Sequence, residues 1–241
     1  MTQLSDEAIV LRTYAYAEAD RIVVLLTRSS GKVRAMAKGI RRPRSKFGGR
    51  LELGSRVHVV VWRGRGELGV INQVQLVDGY PTLRSDLDRI TAAMAVLEVA
   101  DQLVQDDHQD ERLFDMVANV LTTLNDSLIT PQLVAPAFFL KALVADGAGP
   151  VIECCAACGA TSPLVAFAAS EGGMLCERCR RGRPVSREAL DLLRQILNGG
   201  LRAVLLGPES AATKEVATLA TEAIEQHLDR RLKTLRSAAT W

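Results

Sequence analysis

The sequence predicts a multidomain α+β chain: an N-terminal five-stranded β-barrel of the OB type, residues 1–80, then an all-α domain, residues 81–241, with an inserted four-cysteine zinc-binding segment at 151–183. Three observations carry that expectation. Short runs rich in Val, Ile, Leu and Thr, with turn residues between them, fill the chain up to Tyr80. Apolar residues recur at helical spacing after Pro81. Cys155-x2-Cys158 and Cys176-x2-Cys179 are separated by 17 residues.

The strands are expected at 8–16, 21–28, 32–38, 56–62 and 68–77, with Ser30-Gly31 as a tight turn between the second and third. In the fourth, Val57, Val59 and Val61 alternate with His58, Val60 and Trp62, which gives one face to a barrel interior and the other partly to solvent. Five short strands with one long connection, 39–54, fit a small closed or partly closed barrel better than a sandwich. An SH3-like barrel is the competing architecture.

Beyond Pro81, Leu87, Ile90, Met94, Leu97 and Val104 share one helix face, and Leu113, Met116, Val120 and Leu124 share another. Thr130-Pro131 reads as the start of a third helix through about Val144, stopped by Gly147, Gly149 and Pro150. Ser186 caps a helix ending near Asn198-Gly199-Gly200, and Val216, Leu219, Ala223, Leu228 and Leu232 stripe a final long one.

The formal net charge of +2 is a cancellation. Residues 28–65 hold twelve Lys and Arg against the single acid Glu52, whereas residues 78–126 hold eleven acids against Arg84, Arg89 and Arg112. No apolar run approaches the ~20 residues that span a bilayer, so no membrane association is expected. The first residues lack the basic leader and apolar stretch of a secretory signal. Five cysteines crowded into 26 residues suit a metal site in a reducing compartment rather than a disulfide framework, and a cytoplasmic location follows.

Two Cys-x2-Cys knuckles direct four thiolates, Cys155, Cys158, Cys176 and Cys179, at one tetrahedral Zn2+, with Gly159 permitting the first turn. Four thiolates leave no open coordination position, so the ion is expected to be structural. The bland alternative is a set of reduced or redox-active cysteines. Cys154 competes as a ligand from the adjacent position. Arg178, Arg180, Arg181, Arg183 and Arg187 beside the second knuckle either contact phosphate or offset the site's negative charge.

The connection 38–50 carries six cations, and their mutual repulsion is relieved by a polyanion. Lys32, Arg34, Lys38, Arg41, Arg42, Arg44, Lys46 and Arg50 are therefore candidate DNA-binding residues, and Phe47 and Trp62, with Tyr14 or Tyr16, candidate stacking surfaces for unpaired bases. Such binding is strongly salt-dependent and weakly sequence-specific. The ordinary alternative is a solvated charge run. Residues 78–126, being acidic, are expected to repel DNA and keep it on the barrel side. Asp106, Asp107, Asp110 and Glu111 read as a solvated loop between helices, although a magnesium-dependent nuclease would use such acids.

Gly64-x-Gly66-x-x-Gly69 matches the dinucleotide fingerprint in letters but joins two strand-like runs, where the fingerprint must open a helix. There is no phosphate-binding loop, no HExxH and no nucleophile elbow. His58, His108 and His227 are far apart in sequence. No catalytic residue is assigned and the chain is not expected to be an enzyme.

Ala8-Ile9-Val10-Leu11-Arg12-Thr13-Tyr14, Leu25-Leu26-Thr27, Gly31-Lys32-Val33, Ala37-Lys38-Gly39, Arg41-Arg42-Pro43 and Phe47, followed by helices holding the cysteine pairs, resemble the bacterial DNA repair protein RecO family over essentially the whole chain. The resemblance implies a non-enzymatic, nucleoid-associated recombination mediator. Such a protein binds single- and double-stranded DNA and anneals complementary strands. It acts with RecR to load RecA onto DNA coated by single-stranded-DNA-binding protein, whose acidic C-terminal tail is a further partner. A zinc-ribbon nucleic-acid-binding or regulatory protein outside recombination is the alternative. Oligomeric state is left open.

Overall fold

Five strands, β1 (Thr2–Tyr16), β2 (Asp20–Thr27), β3 (Gly31–Ala37), β4 (Arg56–Arg63) and β5 (Leu68–Asp78), close into a barrel in the order β1-β2-β3-β5-β4. β3 and β5 pair in parallel and the other neighbours are antiparallel. The computed structural model describes residues 2–64, 66, 68–161 and 163–238.

β1 serves two partners. Its first half pairs with β4, from Thr2↔Arg63 to Ile9↔Arg56, and its second half with β2, from Ala8↔Thr27 to Tyr16↔Asp20. The register shifts between Val10 and Arg12, and that irregularity lets one strand turn from one neighbour to the other. The strand therefore begins earlier than position 8, where the sequence pattern starts. Residues 2–7 are mostly polar and are held by backbone pairing to β4 rather than by an apolar stripe.

Alternation then sorts the side chains. Ala8, Val10, Val23, Leu25, Val33, Ala35, Val57, Val59, Val61 and Ile71 fill the interior. Ile9, Leu11, Val24 and Leu26 lie on the opposite face of β1 and β2 and are also buried, none more than 2% exposed. That outer face is sheathed by helix α2 (Leu87–Leu103), which packs on β1, and by α3 (Glu111–Asn125), whose Phe114 ring lies 4.5 Å from the Arg28 guanidinium.

The chain divides into two compact units, 1–125 and 126–241. The first extends past the change of period at Pro81 because α2, α3 and the short helix α1 (Pro81–Arg84) are tied to the barrel and to one another. The Asn125 side chain, for example, accepts from the backbone N–H groups of Thr82 and Leu83. α2 is buried around most of its circumference, on Ala93, Ala95, Val96, Leu97, Val99 and Ala100, while Leu87 is 75% exposed. The expected single stripe from Leu87 is thus replaced by close packing of small residues. On α3 the buried stripe runs through Phe114, Val117 and Leu121, one position from the expected Met116 and Val120.

In the second unit, a turn of 3-10 helix at Pro131–Leu133 leads into α4 (Val134–Ala145), followed by a sheet of β6 (Leu164–Ala168), β7 (Gly173–Cys176) and β8 (Arg183–Pro184) in the order β7-β6-β8. Helices α5 (Arg187–Leu197), α6 (Leu201–Leu206), α7 (Ala211–His227) and α8 (Lys233–Ala238) complete it. Ser186 caps α5 by accepting from the Ala189 N–H, and Ser210 and Thr213 cap α7 reciprocally. Among the described residues no helix is long and apolar enough to cross a membrane.

Candidate nucleic-acid interface and metal centre

The connection between β3 and β4 is a chain of tight turns pinned to the barrel. Asp20 accepts from the Gly39 N–H at 2.7 Å, the Arg41 N–H donates to the Ala19 carbonyl at 3.0 Å, and Gly54 returns to Val10 at 2.8 Å. Ile40, Phe47 and Leu51 pack into the barrel core. Phe47 is 1% exposed, so its assignment as a base-stacking surface is overturned. An open end of the barrel offers a larger gain from burying the ring than solvent does, and the Phe47-x3-Leu51 pair at helical spacing is the sequence signal for it. Trp62 is 44% exposed on the outer face of β4, and Tyr14 and Tyr16 are also exposed.

The six cations of this connection, Lys38, Arg41, Arg42, Arg44, Lys46 and Arg50, are all exposed, and none forms an ion pair among the described residues. Lys46 Nζ donates to the Asn72 carbonyl at 2.9 Å, and Arg50 Nη1 to the Lys46 carbonyl at 2.8 Å, so two of them have fixed positions.

Lys32 and Arg34, the two candidates on β3, sit differently. Lys32 Nζ lies 3.4 Å from Asp101, whose carboxylate also takes Arg12 at 2.9 Å, and Arg34 is bound to Asp106 at 2.8 Å. Arg63 is bound to Asp107 at 2.7 Å, and Arg28 to Glu111 and Asp115 at 2.8 and 2.7 Å. The hydrogen bond from Arg12 to Asp101 raises the Arg12 pKa, and that to Glu111 raises Arg28.

Segment 105–110 is the exposed loop the sequence predicts, and it also docks on the barrel. The Lys32 N–H donates to the Gln105 carbonyl at 3.0 Å, and Asp106 pairs with Lys32 as an isolated bridge. Gly31, at φ +65°, permits this approach, since a Cβ there would lie 2.1 Å from the His108 carbonyl oxygen. Acids between 101 and 115 thus pair with the barrel cations Arg12, Arg28, Lys32, Arg34 and Arg63. Asp110 caps α3 through the Leu113 N–H at 2.8 Å.

In the second unit, the Sγ atoms of Cys155, Cys158, Cys176 and Cys179 all lie within 4.8 Å of one another, and Cys158 and Cys176 are 3.8 Å apart. A tetrahedral ion with bonds of about 2.3 Å to sulfur requires sulfur–sulfur edges of about 3.8 Å, so the four can hold a single metal ion. Gly159, at φ +73°, makes the first knuckle by donating to the Cys155 carbonyl at 2.8 Å. Cys154 stands outside the cluster. Backbone N–H groups, first that of Cys176 and then those of Cys158 and Ala157, lower the Cys155 thiol to about 6. Hydrogen bonds with Cys158 and Cys176 push Cys179 up to about 12. One thiolate thus forms readily and suppresses the next, and a divalent cation relieves that conflict. Of the arginines beside the second knuckle, Arg181 pairs with Glu171 at 2.6 Å, Arg183 with Glu222 at 2.5 Å and Arg180 with Glu177 at 3.6 Å, whereas Arg178 and Arg187 form no ion pair among the described residues; Arg194 of α5 pairs with Glu153 at 3.1 Å.

Gly64 and Gly69 fall between and at the start of two antiparallel strands, which removes the dinucleotide reading; Arg65 and Glu67 lie outside the described residues. His58 is exposed on β4, and His227 pairs with Asp146 at 2.7 Å.

Together these features define a barrel-and-ribbon protein, with a cationic connection on a closed β-barrel that meets no acid among the described residues and a cluster of four cysteines in a separate, largely helical unit. The family model described as Recombination protein O N terminal matches residues 1–80, and that described as Recombination protein O C terminal matches residues 84–236. The chain belongs to the Recombination protein O family. It is 38% identical to a DNA repair protein RecO of Frankia casuarinae over 95% of this chain and 96% of that protein. It is also 38% identical to one from Thermobifida fusca over 98% of both.

Proposed function

We propose that this chain is a non-enzymatic DNA repair and recombination mediator. It binds single- and double-stranded DNA through the β3–β4 connection and anneals complementary strands. It acts with RecR to load RecA onto DNA coated with single-stranded-DNA-binding protein, contacting the acidic tail of that protein, in the cytoplasm on the nucleoid. The observation that carries this reading is the set of six exposed cations on the connection, none of them in an ion pair among the described residues. Phosphates supply the anions the protein itself does not, and once they are neutralised two complementary strands approach with less Coulomb repulsion.

The strand order of the barrel, with β3 parallel to β5, supports an OB-type fold. The tetrathiolate suits one Zn2+, which has no geometric preference of its own and accepts four sulfurs. With all positions filled by sulfur the ion braces the ribbon. The test is annealing of complementary oligonucleotides without nucleotide, at low and moderate salt. Faster annealing than the spontaneous rate, lost on replacing Arg41, Arg42, Arg44 and Lys46 together by alanine, is the expected result. No acceleration at any salt overturns the reading, and magnesium-dependent degradation of the strands would point to a nuclease instead.

A further inference from the structure

We infer that unpaired DNA bases lie in a groove on the outer face of β4 and β5, on the side of the barrel away from the sheathed β1–β2 face. The inference rests on the DNA reading above and assigns the part of the ligand that the cations do not recognise.

The faces of this barrel differ in access. Outside β1 and β2, Ile9, Leu11, Val24 and Leu26 are covered, and the cations around them end on carboxylates. A strand of DNA there would have to displace both an apolar contact and an ion-pair network. On the outer face of β4 and β5, His58, Asn72, Gln73 and Gln75 stay exposed, and among the described residues the ion pairs of β4, Arg56–Glu7 and Arg63–Asp107, stand at its two ends. Residues 56–63 and 68–77 include no Asp or Glu.

The surface of that face suits a base. His58 pairs across the sheet with Gln75 and Val60 with Gln73, all four with side chains on the outside. The register shift between Val60 and Val61 places Asn72 and Gln73 in succession on the exposed side. The result is a groove of about 370 Å³ walled by Lys46, within the roughly 300–1,000 Å³ of small-ligand pockets. Carboxamides carry both donors and acceptors, so they can satisfy any base edge without selecting one. Trp62 continues the row beyond Val60, one β-repeat of about 7 Å further on, and offers a face on which the next base stacks. Lys46 joins the two functions, because it belongs to the cationic connection and is fixed to the Asn72 carbonyl at the groove wall.

The test uses the full chain with Trp241→Phe, so that Trp62 is the one remaining indole. Emission is titrated with an oligothymidylate, with an abasic oligonucleotide of equal length and with duplex. Quenching by the oligothymidylate and none by the abasic strand is expected. By anisotropy of labelled oligonucleotides, Trp62→Ala and Gln73→Ala should each weaken oligothymidylate binding about 10-fold, with abasic binding within about 2-fold of the parent. Trp62→Phe should restore most of the lost affinity, which separates stacking from a folding defect. If both strands bind with equal affinity and Trp62 emission is unmoved, the groove is not the base site although the cationic reading stands. If neither strand binds, both readings fall. Equal quenching by polyglutamate would assign the groove to an acidic peptide, and tighter binding of oligouridylate would assign it to RNA; either overturns the inference.

Discussion

Arg34 and Arg63 each end on a carboxylate of the segment that follows α2, whereas Arg41, Arg42 and Arg44, in the connection between their strands, are exposed and meet no acid among the described residues. Three arginines of the cysteine ribbon, Arg180, Arg181 and Arg183, resemble the first group, since Glu177, Glu171 and Glu222 answer them. Cationic residues are therefore spread over both units, but the β3–β4 connection gathers six in one stretch with no ion pair among the described residues. Exposed pairs contribute about 0.2–1 kcal/mol each to stability. Their larger effect is to withdraw cations from a ligand, and a count of basic residues overstates the surface open to a polyanion.

The strongest challenge to this contrast comes from the ribbon. Cys155→Ser should remove the bound metal and cost the second unit more than about 4 kcal/mol, seen as a lower melting transition and zero metal by elemental analysis. The barrel should still bind DNA, so a loss of binding equal to that of the connection variant would break the division of labour. Acidification offers the same test without mutation. Protons compete with the metal for the thiolates, and a bound cation holds them ionised below the value of about 6 that Cys155 has without it, so metal should stay at pH 6, leave as the pH falls well below that, and return on neutralisation.

Next in size is the connection. Replacing Arg41, Arg42, Arg44 and Lys46 together by alanine should lower the slope of log affinity against log salt by about 2.8 for single strands. Affinity near 50 mM salt should fall on the order of 10³-fold, measured by fluorescence anisotropy. An unchanged slope would show that phosphates are held elsewhere. The converse variant, Asp106→Asn with Asp107→Asn, releases Arg34 and Arg63 from their carboxylates. It should raise the slope by about 1.4 and affinity near 50 mM salt by up to tens-fold, with stability changed by no more than about 1 kcal/mol. Lower affinity in that variant would mean that the acids organise the site rather than screen it. The smallest effect is expected at the ribbon, where Arg181→Ala should change DNA affinity less than about 2-fold, because Glu171 already takes that charge.

Local pattern is enough to place the five strands, the tetrathiolate and the Ser186 cap, since each depends on residues close in sequence. Tertiary packing decides the rest. Met116 and Phe114 are equally apolar, and which of them faces inward on α3 is fixed by where that helix meets the barrel. α2 is buried nearly all round because its alanines leave no bulk to define one side. The acids from 101 to 115 read as a charge block, yet their partners lie 44 to 89 residues away and become visible only with the fold. Phe47 is the most misleading residue, because its neighbours are cationic while its ring is an anchor.

That anchor has a consequence for proteolysis. The connection offers trypsin five cleavable cations besides Arg42, whose bond to Pro43 resists it. A free linker of this composition would be nicked within minutes of mixing. Here Ile40, Phe47 and Leu51 hold the backbone in the barrel, and Asp20, Ala19 and Val10 tie it down on either side. Cleavage requires a segment to open and extend into the protease, and opening this one withdraws Ile40, Phe47 and Leu51 from the core. The most cationic stretch of the chain should thus survive limited digestion as part of an intact barrel.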